Sequence, residues 1–518
     1  MAKELETPKI NPWIIATAVM LSTFMEVLDT TVVNVSLPHI AGSMSASVDE
    51  ATWTLTSYLV ANAIILPMTG WLSNYFGRKR MLMTSVTGFT VASFLCGLAP
   101  NLPALVIFRV LQGACGGGLQ PISQAVLLES FPPEDRGKAM GFWGLGIVVA
   151  PMLGPVLGGW LTDSYSWRWV FYINIPVGVL ALIMTQLFIF DPHYIRRTVS
   201  RIDYWGMGML AVGIAALQIV LDKGQEKDWF SSDLITRLTV ISIVALVVFV
   251  IYELVVAHPV VDLRAFRERT YSAGVFLMTV LGFVLYGSLV ILPIFLQTIL
   301  GYPALQAGVA MFPRGLGSFI AMPFVGAIMS RFDPRKLLVI GLVACSLSLV
   351  LLGTLNLDVG YWQIFWAQFL QGLSLGFLFV PLTTVTMDPI PNEKMGNATS
   401  IFNLMRNIGG SMGIALSTTI VARSTQSYTN FLGRNVTPYS PQTQSAFEGL
   451  RSFFMSSGAD AFTASQRAYA ALFGMVQRQA SMMSFNHTYL FLAVLFIIVM
   501  PAVFLMRKPK SRGGIPAH

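Results

Sequence analysis

Apolar residues fill long uninterrupted stretches of this chain, and the polar residues gather in short clusters between them. A run of about 20 apolar residues is the length that crosses a bilayer as a helix. The pattern predicts fourteen such helices, over 13–37, 52–71, 81–99, 103–125, 139–161, 169–190, 204–222, 235–256, 272–297, 304–329, 336–356, 361–386, 397–421 and 487–506. Backbone polar groups find no water in lipid, so runs of this length must be helices; strands of a membrane barrel would be about half as long and would alternate. The first run is too long for a signal-peptide core and lacks a small-residue cleavage site, so it reads as a retained helix. One long polar stretch, 422–486, is rich in Ser, Gln and Thr and reads as a loop. Within it Ala464 to Met483 has the pattern of an amphipathic helix, and the stretch can serve as a solvated cap or as a docking surface.

Composition narrows the class further. Of 518 residues, 54% are hydrophobic and 11% charged, against roughly a quarter charged in soluble domains. A soluble enzyme, a nucleic-acid module and a disordered scaffold are excluded; the surrounding medium is a lipid bilayer. The net charge of +8 then reads as basic loops rather than a nucleic-acid footprint, because Lys and Arg beside spans set orientation. Alternate loops, those carrying Lys3, Arg78, Arg136, Arg196, Arg264, Arg331, Lys394 and Arg507, hold twenty-one of the Lys and Arg residues against nine on the other side. Both termini are therefore expected in the cytoplasm. The three cysteines, Cys96, Cys115 and Cys345, are scattered through apolar runs and read as packing residues.

The chain also repeats itself. Residues 67–82 and 323–338 both place Pro-x-x-Gly before a basic turn, and Arg109 to Gly113 matches Gln368 to Gly372 at nearly the same offset. This predicts two related six-helix halves, 1–191 and 266–518, with residues 192–265 between them carrying two additional helices and 422–486 as a long periplasmic loop of the second half. Transporters built from repeats bind cargo near the bilayer midplane between the halves and rock around it.

Charges inside spans are costly, at least ~2.5–3.5 kcal/mol each, and mark function by default. Glu26 and Asp29 are the two acids well inside an apolar run, and Arg109, Arg314 and Arg406 are the three cations. Glu26 and Asp29 lie three residues apart on one helix face. Two such carboxylates do not readily ionise together in a low dielectric, so the pair can hold a proton. Arg109 opposes this by favouring the charged form, and Gln112 shares its face as a relay. A static ion pair between the first and fourth helices is the alternative. The position matching Arg109 in the second half is Gln368, which places any proton machinery in the first half. Arg314 and Arg406 either line a water-filled cavity, favouring anionic or neutral cargo, or bond to backbone carbonyls. Phe402 adds an apolar wall near them, and Asn34, Gln120, Gln124, Gln371 and Asn403 are the polar candidates for the same cavity. Gly113 to Gly118 lacks the Gly-Lys-Ser/Thr ending of a phosphate loop, so ATP is not the expected energy source. The five histidines sit at span edges or tails without clustering, which leaves no expected metal site.

In order along the chain, Leu28 to Pro38, Gly70 to Arg80, Arg109 to Gly113, Pro151 to Gly159 and Trp167 to Gly178 resemble the motifs of the major facilitator superfamily, in particular its fourteen-helix drug:proton antiporters of the EmrB/QacA type. The long loop before the last helix makes the EmrB-like group the nearer comparison. The resemblance implies an all-α polytopic fold of two six-helix bundles plus two helices, and an inner-membrane antiporter exporting lipophilic drugs with the proton gradient as energy source and no cofactor. It implies proton coupling at Asp29 and Arg109, and conformational roles for Gly70, Asn74, Gly77 and Arg78 and for Pro151, Gly154, Pro155 and Gly158. A periplasmic adaptor of the EmrA kind and an outer-membrane channel are the implied partners. The family has Asp where this chain has Asn74, which removes a charge from the expected latch. A dedicated exporter of one metabolite, such as a siderophore or fatty acid, is the other reading.

Overall fold

The computed structural model describes residues 11–191, 203–257, 259–329 and 331–507. Among these, thirteen helices are long and apolar enough to span a membrane. In chain order the long helices are α1 (Pro12–Ser43), α2 (Trp53–Phe76), α3 (Arg78–Leu98), α4 (Leu102–Ser130), α5 (Arg136–Ser164), α6 (Trp169–Phe188), α7 (Tyr204–Lys223), α8 (Asp233–Val255), α9 (Arg269–Ile294), α10 (Ala304–Ile328), α11 (Pro334–Leu352), α12 (Tyr361–Met387), α13 (Met395–Gly433) and α14 (Ala461–Val499). Their starts carry the residues that helix ends require. Asn11, Asn101 and Asp333 accept backbone N–H bonds at the first turns of α1, α4 and α11, each with a proline in that turn that needs no donor there.

Two expectations change. The span expected over 397–421 is a 39-residue helix, α13, that falls short of the apolar composition of the other thirteen. The stretch 422–486 is not a loop: α13 runs on to Gly433, a helix follows over Pro441–Ser456, and α14 starts at Ala461. Phe447 and Tyr469 pack ring on ring, 4.5 Å between centroids, and tie that short helix to α14. Among the residues of the orientation argument, Lys3, Arg196 and its neighbours lie outside the described residues, as do His193, His258 and His518.

The repeat is visible in the packing. A Cβ on Gly113 would collide with the carbonyl of Tyr58, and one on Gly372 would collide with the carbonyl of Arg314. Tyr58 and Arg314 thus occupy matching places on α2 and α10, and α4 and α12 cross them at matching glycines. Two cross-contacts close the end of the bundle at which α1 begins. At one, a Cβ on Gly70 of α2 would lie 2.6 Å from the Asn397 Cα of α13; at the other, a Cβ on Gly326 of α10 would lie 2.8 Å from the Gly137 carbonyl oxygen of α5. Nothing larger than glycine fits either crossing without moving a backbone. Helices α7 and α8 pack against each other, with α7 also touching α2 and α13; α8 turns a row of exposed Val and Ile side chains outward, among them Ile243, Val247 and Ile251.

Candidate functional site

Asp29 faces inward from α1 and is fully buried with Arg109 of α4. Arg109 Nη1 donates to Asp29 Oδ2 at 2.6 Å and to Gln112 Oε1 at 2.9 Å. Gln112 Nε2 donates to Asp29 Oδ1 at 2.9 Å, and Asn174 Nδ2 of α6 donates to the same oxygen at 2.7 Å. Arg109 Nε reaches the Thr54 carbonyl at 2.9 Å, and Asn174 also donates to Ser93 on α3 at 3.0 Å. Five helices, α1, α2, α3, α4 and α6, therefore converge on one carboxylate and one guanidinium. The spacing explains the cluster, because Arg109 and Gln112 at i, i+3 share a face. Sequence reasoning missed Asn174, although it lies within the Trp167 to Gly178 motif; the signal was a lone amide inside an otherwise apolar run.

Glu26 is placed differently. It lines a cavity of about 370 Å³ between the two halves, which Asp29 does not. Asn62 Nδ2 donates to Glu26 Oε1 at 2.9 Å, while Oε2 is buried without a hydrogen-bond partner among the described residues. Tyr58 forms the partition: it lines the cavity, and its ring lies 4.2 Å from the Arg109 guanidinium. The two carboxylates that the sequence places on one face are thus divided between a sealed cluster and an open chamber.

Of the cavity candidates, Asn34, Gln120, Arg314 and Arg406 line the chamber. Arg314 Nη2 also reaches the Leu285 carbonyl at 3.4 Å, so one side chain both faces the chamber and bonds to a backbone carbonyl. Arg406 bonds to the Gln120 side chain across the interface between halves and shares the chamber with Glu26. Gln124, Gln371, Phe402 and Asn403 are packed away from it. Asn403 Nδ2 donates to Gln124 Oε1 at 2.6 Å, and Thr399 Oγ1 donates to the Pro121 carbonyl at 3.0 Å. Thr399, Asn403 and Arg406 follow one face of α13, so these bonds form a ladder against α4 from the closed end up to the chamber. Gln371 belongs to a neutral cluster: Gln368 Nε2 donates to Gln371 Oε1, and Gln371 Nε2 to Ser288 Oγ, each at 3.2 Å.

At the closed end, Arg78 pairs with Glu129 and reaches the Asn392 carbonyl at 3.5 Å, and Arg136 reaches the Asn392 side chain at 3.5 Å. Gly77 takes φ +91°, a left-handed conformation that favours glycine, and the Lys79 N–H beside it donates to Asp191 at 2.8 Å. Arg78, Glu129 and Asp191 thus gather at this end, near a half-buried Asn74. On α5, Gly154 and Gly158 let Thr31 and Val32 of α1 approach closely beside Pro151 and Pro155. Among the described residues, no three His, Cys, Asp or Glu side chains gather where a metal ion could sit.

A helical membrane protein with a chamber between repeated bundles is a transporter, not an enzyme. Residues 19–414 match the Major Facilitator Superfamily, and the chain belongs to that family. It is 40% identical over 441 residues to the "Multidrug export protein EmrB" of Haemophilus influenzae, covering 85% of this chain and 86% of that protein. To the protein of the same name in Escherichia coli strain K12 it is 35% identical over 502 residues, 97% and 96% of the two chains. To the "Fatty acid resistance protein FarB" of Neisseria gonorrhoeae it is 35% identical over 499 residues, 95% and 96%. Solved structures share the fold at low identity. The human organic anion transporter MFSD10 superposes with TM-score 0.59 at 13% identity, covering 94% of this chain and 100% of that one. A double-Trp mutant of XylE gives 0.58 at 15%, covering 96% and 97%.

Proposed function

We propose that this protein is a drug:proton antiporter of a bacterial inner membrane, exporting several lipophilic compounds in exchange for protons, with both termini in the cytoplasm. The observation that carries the reading is the division of labour at α1: a sealed Asp29–Arg109–Gln112–Asn174 cluster behind Tyr58, and Glu26 facing Arg406 and Gln120 in the chamber. Proton binding at the Asp29/Glu26 pair and cargo in the chamber then alternate, each favouring one state of the halves 1–191 and 266–518, with 192–265 between them. Gly154 and Pro155 of α5 serve the rocking motion, and the crossings at Gly70 and Gly326 hold the cytoplasmic end shut in the observed state. The names of the EmrB relatives support multidrug export. By the family resemblance, a periplasmic adaptor of the EmrA kind and an outer-membrane channel complete the route, and the helical extension over 422–486 stands on their side.

Arg314 and Arg406, two cations against the one carboxylate Glu26 in a mostly apolar chamber, favour neutral or anionic amphiphiles. Together with the FarB relative, they support a second reading, a dedicated exporter of a fatty acid-like metabolite. Breadth separates the two: a multidrug pump confers resistance to several unrelated compounds. The direct test is proton release from the detergent-purified protein as lipophilic compounds are added. The wild type is expected to release protons and Asp29→Asn is not; compound binding without release from either would show the cluster to be a static tie.

A further inference from the structure

The additional helix pair carries two buried acids that the chamber and the Asp29 cluster do not use. Asp203 caps α7, its Oδ1 accepting from the Gly206 N–H at 2.9 Å and from the Tyr252 hydroxyl of α8 at 3.1 Å. Glu253 sits in the last turn of α8. The two are 8% and 1% exposed, and their carboxyl groups converge on one point. A Cβ on Gly206 would collide with Asp203 Oδ2 and lie 2.7 Å from Glu253 Oε1. Asp203 Oδ2 and both Glu253 oxygens are buried without a hydrogen-bond partner among the described residues.

The positive charges near this point are engaged elsewhere. Lys394 Nζ lies 3.0 Å from Asp262 Oδ2, and Arg264 Nη2 reaches the Val256 carbonyl at 3.5 Å. What the fold turns toward the pair are donors: the Gly206 N–H, the Tyr252 hydroxyl, and the N–H groups of Val260 and Val261, which face Glu253. Buried charges are ordinarily paired or coordinate a metal, and two like charges in a poorly screened gap repel each other strongly. The pair therefore calls for a positive charge between its oxygens. Two carboxylates are too few for the about 6–8 oxygens of Ca²⁺, but they suit Mg²⁺, which takes one or two carboxylates and keeps several waters.

We propose that Asp203 and Glu253 form a site for a hard divalent cation of the Mg²⁺ kind, between α7 and α8 at the closed end of the bundle. The site connects to the closing crossing through the chain that leaves α8. Val260 and Val261 are buried beside Glu253, and the next residue, Asp262, exchanges two backbone bonds with the Asn397 side chain of α13, each at 3.0 Å. Asn397 is the residue that Gly70 of α2 meets. A cation held at Glu253 thus braces the segment that grips α13 where the bundle is shut. The site stands whether or not the export reading does.

The experiment uses the full chain, purified in detergent and stripped with EDTA. Adding MgCl₂ is expected to raise the wild-type Tm by several degrees and to slow hydrogen exchange over 259–268. Mn²⁺ titrated as a paramagnetic probe is expected to occupy one site per chain and to be displaced by Mg²⁺. Glu253→Gln and Asp203→Asn keep the side-chain shapes, and Asn also caps a helix, so both are expected to fold. Each is expected to lose the Mg²⁺ response and the bound Mn²⁺, and Glu253→Gln to melt above the wild type in EDTA, one of two like charges being gone. Mn²⁺ retained by both variants would mean an adventitious ion only. Equal stabilisation by NaCl at the same ionic strength would mean screening, and either result overturns the site. A wild type indifferent to Mg²⁺, whose melting depends on pH until Glu253→Gln removes the dependence, overturns it in favour of a proton shared by the pair.

Discussion

The same architectural place occurs twice in this molecule, once charged and once neutral. In the first half Asp29, Arg109 and Gln112 interlock; in the second half Ser288, Gln368 and Gln371 follow the same pattern, with Gln368 donating to Gln371 as Arg109 does to Gln112, and Gln371 donating to Ser288 as Gln112 does to Asp29. The flanking glycines, Gly113 and Gly372, make the same backbone crossing. The scaffold therefore does not require the ion pair. A buried pair is a poor source of stability, since the desolvation of both ions offsets their attraction, and the second half shows what the site becomes when only packing is asked of it. The charged version supports a role in function, and the neutral one supplies its internal control.

The largest expected effect comes from unbalancing the charged copy. Asp29→Asn leaves Arg109 buried without a counter-ion, at a cost of roughly 3–5 kcal/mol, and abolishes uphill efflux; thermal unfolding and proton-driven dye movement in everted vesicles read the two consequences. Converting the site fully to its neutral counterpart sharpens the comparison. Asp29→Ser combined with Arg109→Gln is expected to regain most of the lost thermal stability without regaining coupling; a double variant no more stable than Asp29→Asn would show that the two sites are not equivalent. Asn174→Ala removes a donor that the neutral copy lacks, so it is expected to cost about 1–3 kcal/mol and to weaken efflux severalfold without ending it. The smallest effect belongs to Ser288→Ala, about 0.5–1.5 kcal/mol for each of its two neutral hydrogen bonds, to Gln371 and to the Leu285 carbonyl, with proton-driven transport at the wild-type level.

Much of this was legible in the amino-acid order. Thirteen spans announce themselves by apolar length, the repeat by two aligned motifs, and the Arg109–Asp29 contact by the cost of leaving either charge alone in lipid. The partition between Glu26 and Asp29 was not, because helical spacing gives a shared face and not the width of the face; one turn of α1 is enough to put Tyr58 between them. Nor could composition reveal that Asn403 and Gln124 close the bundle rather than line the chamber. A polar side chain at membrane depth states only that it has a partner, and the partner is chosen by how α4 and α13 cross. The stretch 422–486 misled for the opposite reason: Ser, Gln and Thr are loop-forming on average, but the aromatic contact of Phe447 with Tyr469 and continuity with two membrane helices keep it helical.

Helix α13 carries the ladder against α4 and the crossing at Gly70, and it is the long helix whose composition falls short of the others. A segment whose polar face is matched to neighbours rather than to lipid has little drive to leave the translocation machinery alone. Its polar face is met by α4 and α9, which are synthesised earlier. Biogenesis of this protein thus has an order written into it, with the segment that shuts the finished molecule being the one that must wait for its neighbours before it can enter the membrane.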